Sequence, residues 1–475
     1  MIRRQSLISA LLALIVIVLL INIYTLIVFT IRGVNQDKYL PFATESKYLF
    51  YNDSIYSIRY KKSATGEINL LVPPDFTSKH VVSVALNILE EYHTLSRNEI
   101  KASAGYIHVV GRLSRVLSRA VTLVKQNLDP KAVWAKISQW PFNDLLRMTN
   151  MGELLTYANK AKILQAKNSK KGTQLKIEVL LEGDQLALFK PQWYPRDVKI
   201  SGKAFSGKDR HFGEIASFYL NLILGYNVAP ITAGRNVNLM TEIVPYASEQ
   251  LKQTFYRESN GSLCFYGVCY YCKPEDVVCA RENDVVEGSI VLMLDKKFKM
   301  FMSPWKRIYK DGKYAEWETD LNYCSKVLKD RSTSRRREII LDIVAIHVFD
   351  FLIGNGDRHH FEILRRNDPN ANGHSRNFVL IDNGKSFGNP DEDFIDILTP
   401  LYQCCAIRHP LLAILKKFQG NLGRSLEVIG AVDPIQPILT PAHFRALDRR
   451  LNIVLATVQN CLKSPDRNVF GKVVW

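Results

Sequence analysis

From Leu7 to Ile31 the chain reads LISALLALIVIVLLINIYTLIVFTI, 25 residues without a formal charge. At 1.5 Å per residue, a helix of that length spans the apolar core of a bilayer, about 30 Å. It is too long for the apolar region of a cleaved signal peptide. A buried core helix would carry more polar interruption than the single Asn22. Arg3 and Arg4 precede the run and no clean small-residue cleavage site follows it. The positive-inside rule therefore makes residues 1–6 a cytosolic tail and 7–31 a signal anchor, and sends the rest of the chain into the lumen.

Cysteine usage bears on the same question, because disulfides persist in oxidising compartments and not in the cytosol. All eight cysteines lie beyond residue 260: Cys264, Cys269, Cys272 and Cys279 in one cluster, then Cys324, the pair Cys404 and Cys405, and Cys461. An even count in a lumenal chain favours four bridges, whose pairing the spacing does not choose. Zinc is the rival reading of CFYGVCYYCKPEDVVC, but its spacing is not that of a paired knuckle. Sequons at Asn52 and Asn260 suit a lumenal chain.

Lys and Arg outnumber Asp and Glu by 63 to 46, a formal charge of +17 that attracts polyanions. A lumenal location excludes nucleic acid. Nucleotides, acidic proteins and sulfated glycans remain, beside the plain reading of a solvated surface.

Residues 32–126 read as a stem followed by helical segments: TSKHVVSVALNILEEYHTLSR and RLSRVLSRAVTLVKQ repeat apolar residues at helical spacing. These helices belong either to the stem or to the edge of the main domain. From about residue 171 the pattern turns to strands. KIEVLLEG and QLALFKP flank the turn Glu182-Gly183-Asp184 and predict a β-hairpin. GEIASFYLNLILG, REIILDIVAIHVFDFLIG and RALDRRLNIVLATVQNCL follow with helical period. Strands first and helices later is the plan of an α+β, two-lobed, kinase-like fold, preceded here by the N-terminal transmembrane helix.

Phosphoryl transfer needs cations on phosphates, carboxylates on a metal, and a carboxylate to receive the acceptor's proton. Lys190 ends the strand LALFKP, where it projects toward phosphates or, as many strand-end lysines do, reaches solvent. The turn Lys171-Gly172-Thr173-Gln174 is placed to cover phosphates, although no GxGxxG or Walker sequence is present. Asp357 follows an apolar helix and the break Gly354-Asn355-Gly356, beside Arg358, His359 and His360, whose charge is expected to lower its pKa and keep it ionised. In FVLIDNGKSFG, Asp382 ends an apolar strand at a sharp turn, a position from which it can meet a metal. Base first and metal ligand second is the kinase order.

KGTQLK, FKP, DRHFGEIASF, CFYGVCYYC, EGSIVLML, DFLIGNGDRHHFE, DNGKSFG and LYQCC together resemble the secretory-pathway kinases that include the Golgi casein kinase and glycosaminoglycan xylosylkinase. The resemblance runs from about Asn127 to Val474 and implies a kinase domain over 127–475 using ATP with Mn2+ or Mg2+. It implies that Gln174 and Lys190 touch ATP phosphates and that Asp209 helps bind the metal, with Glu214 orienting the lysine. Val291, Leu292, Met293 and Leu294 would form the hinge against adenine. Asp357 would be the catalytic base, Glu362 would touch ATP where conventional kinases keep an asparagine, and Asp382 would bind ATP and metal. The implied disulfides are Cys264 with Cys279, Cys269 with Cys272, Cys324 with Cys404, and Cys405 with Cys461.

Within that family PLYQCCAIR, CFYGVCYYC and KSFG are similar to the xylosylkinase branch, whose acceptor is the 2-hydroxyl of xylose in the proteoglycan linkage region. The glycine of Asp382-Asn383-Gly384 is instead casein-kinase-like, and the insertion RRNDPNANGHSRN is unlike either. A kinase for serines of secreted acidic proteins and a pseudokinase activator are the alternatives. Trp305, Tyr309 and Trp317 are candidates for stacking on sugar rings. The implied location is the Golgi membrane with a lumenal catalytic domain.

Overall fold

The structure, a computed structural model, describes residues 48–50, 58–73, 76–97, 104–123, 129–139, 151–169, 172–295, 298–310, 313–329, 337–364 and 378–475. The expected membrane span 7–31, the sequon at Asn52 and the whole insertion RRNDPNANGHSRN lie outside them. Among the described residues no helix is long and apolar enough to cross a membrane.

Three short strands come first: β1 (Tyr48–Phe50), β2 (Arg59–Lys62) and β3 (Ile68–Val72). Helices α1 (Lys79–Arg97), α2 (Gly105–Leu123) and α3 (Met151–Lys160) follow. The small lobe is a five-stranded antiparallel sheet of β4 (Ile163–Asn168), β5 (Ile177–Leu181), β6 (Gln185–Pro191), β7 (Thr232–Asn238) and β11 (Val285–Leu292), in the order β4-β5-β6-β11-β7. The hairpin β5-β6 forms where the sequence predicts it. Its turn holds Gly183 at φ 85° and Asp184 at φ 68°. A side chain at Gly183 would fall 2.6 Å from Pro130 and 2.8 Å from Trp134, so the close approach of the chain demands glycine as much as the turn does.

Helix α4 (His211–Ile223) packs under this sheet, buried at all its positions. It starts two residues before the segment that the apolar pattern marks, because Arg210, just ahead of it, is drawn into the loop after Asp382. Between β7 and β11 a three-stranded sheet, β8 (Phe255–Arg257), β9 (Leu263–Tyr266) and β10 (Val277–Cys279), is closed by the Cys264–Cys279 bridge.

The large lobe is built around α5 (Arg337–Ile353), which is apolar on all faces and buried along nearly its whole length. It carries two buried polar residues, His347 and Asp350. The long helix α6 (Pro441–Leu462) packs beside it. A sheet of β12 (Phe298–Met302), β13 (His360–Leu364) and β14 (Phe378–Val379) carries the residues that follow the Gly-Asn-Gly break. Finally β15 (Glu392–Asp393) pairs with β2, and α1 lies against α6. The segment read as stem thus packs, over the described residues 58–97, on the large lobe.

The bridges Cys269–Cys272, Cys324–Cys404 and Cys405–Cys461 complete the set of four, with no free thiol. Glu258 approaches Cys264 and Cys279, but bridged sulfurs offer no thiolate to zinc. Asn260 is exposed in the turn before β9, with Oδ1 accepting from Ser262 N.

Candidate active site

The site grows from Lys190, on the face of β6 that carries Leu186 and Leu188 and not the core residues Ala187 and Phe189; the carboxylates gathered over that face leave the lysine 4% exposed. Its ammonium donates to Glu214 Oε1 at 2.5 Å, to Asp382 Oδ1 at 2.6 Å and to Asp209 Oδ2 at 3.3 Å. Burial alone would lower its pKa, but the three carboxylates outweigh burial and raise it well above the ordinary value. In return Lys190 holds Asp382 well below the usual carboxylate range.

Each carboxylate reaches the lysine from a different element. Glu214 lies in the first turn of α4. Asp209 precedes the helix, and Arg210 N donates to Gly384 O at 2.7 Å while Arg210 Nε donates to Ser386 O at 2.9 Å. Asp382 sits in a left-handed conformation, φ 60°, three residues past the end of a strand only two residues long. A side chain at Gly384 would meet Asp209 Cγ at 2.6 Å. Glycine therefore lets the loop of Asp382 close on Asp209.

Three carboxylates against the Lys190 ammonium leave an excess of negative charge, and Asp382 is exposed on the open side. Oxygen donors with surplus negative charge fit a hard divalent cation. Asp209 and Asp382 can hold one.

Asp357 stands on the loop after α5. Asn355 Oδ1 accepts from its backbone N–H at 3.1 Å, an Asx turn that fixes the loop. The Tyr309 hydroxyl donates to Asp357 Oδ1 at 2.8 Å, and His359 Nδ1 lies 2.9 Å from its carbonyl oxygen. The expected net lowering of its pKa is not found, although His359 does act in that direction. Burial is the largest influence and raises the Asp357 carboxyl; Tyr309, Lys385 and His359 oppose it, and Asp382 adds to it. Arg358 points elsewhere, onto Asp350 Oδ2 at 2.7 Å. His360 turns toward Glu362, 3.7 Å away, in β13.

Of the aromatic trio, Trp305 is 2% and Trp317 3% exposed. Their indoles donate inward, to Gln403 Oε1 and Lys306 O, and they are core and not a sugar platform. Tyr309 alone reaches the site. Val291 and Leu292 end β11 opposite Leu188 and Ala187 of β6, while Met293 N donates to Leu186 O at 2.9 Å. Leu188 and Lys190, two residues apart, share one face of β6 and lie about 7 Å apart along it, so a nucleotide laid on that face meets both. Gln174 is half-buried in the turn before β5.

A family model described as Golgi casein kinase, C-terminal, Fam20, matches residues 132–469. The chain belongs to the Fam20 family. It is 42% identical to human glycosaminoglycan xylosylkinase over 359 residues, 73% of this chain and 86% of that protein. The structure of hydra Fam20 with sugar aligns with a TM-score of 0.66 at 37% identity, over 74% of this chain and 99% of that one. The Golgi casein kinase with Mn/ADP bound aligns with a TM-score of 0.65 at 31% identity, over 82% and 91%.

Two further cations of this Fam20 chain escaped the sequence reading although both lie inside motifs it singled out. Lys176, the last residue of KGTQLK, is buried, and burial and then Lys190 lower its pKa against Asp382, Asp209 and Glu214. Its ammonium lies against Gly172, so the turn before β5 and the carboxylates both meet this lysine. Lys385, in DNGKSFG, is also buried with its pKa lowered, near Asp209 and Asp357, and donates to Gly207 O. The available signal was position: Lys176 stands two residues beyond Gln174, on the same side of an extended chain.

Proposed function

We propose that this chain is a Golgi kinase that transfers the γ-phosphate of ATP to the 2-hydroxyl of xylose in a proteoglycan linkage region. The observation that carries the reading is the convergence of Glu214, Lys190, Asp209 and Asp382 from three elements, with Asp357 on the adjoining loop. Lys190, Lys176 and Gln174 hold the phosphates, and Val291–Leu294 receives adenine. Asp209 and Asp382 hold manganese or magnesium, which when bound neutralises phosphate charge. Asp357 accepts the proton of the attacking hydroxyl. Glu362 stands on β13 where it can meet the nucleotide, and Glu214 positions Lys190. The likeness to human glycosaminoglycan xylosylkinase supports xylose as the acceptor.

We assign residues 1–6 to the cytosol, 7–31 to a type II membrane anchor, 32–126 to the lumenal stem and helical region and 127–475 to the kinase domain. Asn52 and Asn260 are the proposed glycosylation sites.

A serine kinase for acidic secreted proteins is the second reading, favoured by the glycine at 384 and by the family description. A nucleotide-binding pseudokinase would have no use for Lys190, Asp357 and Asp382 together. Incubation of the lumenal part with labelled ATP, manganese, and either a galactosyl-xylose glycoside or casein separates the three. Label on the glycoside is expected. Label on casein alone overturns the first reading, and label on neither favours the pseudokinase.

A further inference from the structure

Strand β12 is the outer strand of its sheet: β13 pairs one edge, and among the described residues no strand pairs the other. A free edge offers its N–H and C=O groups to an extended peptide. Phe301 turns to the inner face, against Phe361 and Phe378. Met300 and Met302 share the opposite face with their cross-strand partners Glu362 and His360, and are 57% and 46% exposed. From this strand the chain runs directly to the catalytic loop. Ser303 N donates to His359 O at 3.1 Å, and Tyr309 ends the run on Asp357.

Lys306 stands in this run, and Lys310 and Lys313 follow Tyr309; all three are exposed. None of the three forms an ion pair among the described residues, whereas Lys326, farther on, is held by Glu316 and Asp320. Unpaired surface lysines beside a catalytic loop steer anionic partners toward it.

We infer that β12 and the lysine run after it dock the acidic polypeptide that bears the acceptor sugar. This rests on the xylose-kinase reading and extends it from the sugar to the protein attached to it. A polypeptide fits better than more glycan. The free edge matches an extended backbone. A sugar chain would want flat aromatic faces, and Trp305 and Trp317 are buried.

The test compares one galactosyl-xylose unit in three settings: as a free glycoside, on a serine flanked by Asp and Glu, and on the same peptide with Asn and Gln. We expect the acidic glycopeptide to have a KM about tenfold below the other two, and Lys306→Glu/Lys310→Glu to erase that advantage. The variant should leave kcat/KM for the free glycoside within about twofold. A single KM for all three acceptors overturns the inference. So does an equal loss on all three in the variant, or an advantage that appears only when a uronate-bearing glycan is added to the neutral peptide. Phosphorylation of casein with none of any xyloside is a different result: it removes the xylose reading itself and the inference with it.

Discussion

Arg358 lies next to Asp357 in sequence but gives its guanidinium to Asp350, with Nε 2.7 and 3.0 Å from the two carboxylate oxygens. Its other nitrogens donate to Ile381 O at 2.7 Å and to Asn383 Oδ1 at 2.6 Å. One side chain therefore ties the core helix, the loop of Asp357 and the loop of Asp382 together. Lysine keeps the charge but not the fork. Arg358→Lys should reduce kcat by about 10²-fold through misplacement of the loops, while the Kd for ATP moves only a few-fold. Equal loss in both quantities would assign Arg358 to nucleotide binding. Arg358→Ala strands Asp350 in the core, and denaturant unfolding should read a cost of about 3–5 kcal/mol.

The two aspartates of the site separate by assay. Asp382→Ala should abolish manganese-dependent ATP binding in titration calorimetry. Asp357→Ala should leave binding largely intact and slow transfer by about 10²–10⁴-fold. Equal loss of binding in both variants would contradict the proposed roles.

The Asp357 carboxyl is raised by burial, and only the ionised form can accept a proton. Activity should therefore fall on acidification at a pH above that expected of an exposed aspartate. Tyr309→Phe removes a hydrogen bond that favours the ionised form, so the acidic limb of the pH profile should move to still higher pH. A limb that moves to lower pH, or stays, refutes this assignment. The stability effect has the opposite sense. A carboxyl whose folded pKa lies above its unfolded one costs stability at neutral pH, and the cost disappears as pH falls through the folded pKa toward the unfolded one. Asp357→Asn should be at least as stable as wild type at pH 7 and lose that advantage in acid.

Gly384 has no room for a side chain beside Asp209. Gly384→Ala should push Asp209 away from Asp382 and weaken manganese binding about tenfold or more, with little change in Tm. Unchanged manganese affinity would show that Asp209 is not needed for the metal.

The Cys405–Cys461 bridge closes a loop with a sequence separation of 56 in the large lobe. Replacing both residues by serine should cost about 4 kcal/mol by the chain-entropy estimate, read as a lower denaturant midpoint at unchanged slope. A loss under about 1 kcal/mol would mean that the unfolded chain is already constrained there.

How far the sequence carried depended on the range of each interaction. The β5-β6 hairpin was legible because Gly183 and Asp184 write the turn locally, and α5 because its apolar residues leave no polar face. The order of Lys190, Asp357 and Asp382 was legible because each stands beside a local break. Side-chain direction was not. Arg358 and Asp357 are adjacent, yet the loop sends them to different partners. Trp305 and Trp317 lie in a stretch rich in lysine that reads as surface, and only packing against the large lobe reveals them as core. Lys176 and Lys385 were passed over because a lysine in a turn or loop is usually solvated.

The pairing of β2 with β15 sets a timetable for synthesis. Tyr60 is fully buried and faces Asp393 across that pair, and its partner strand lies roughly 330 residues later, about 20–70 s at ordinary rates of elongation. Through that interval β2, paired with β3 on one side, must wait with its other edge open while the rest of the chain is made. The last stretch to emerge, not the first, decides when the N-terminal part of the molecule is finished, so early strands of this kind call for chaperone cover.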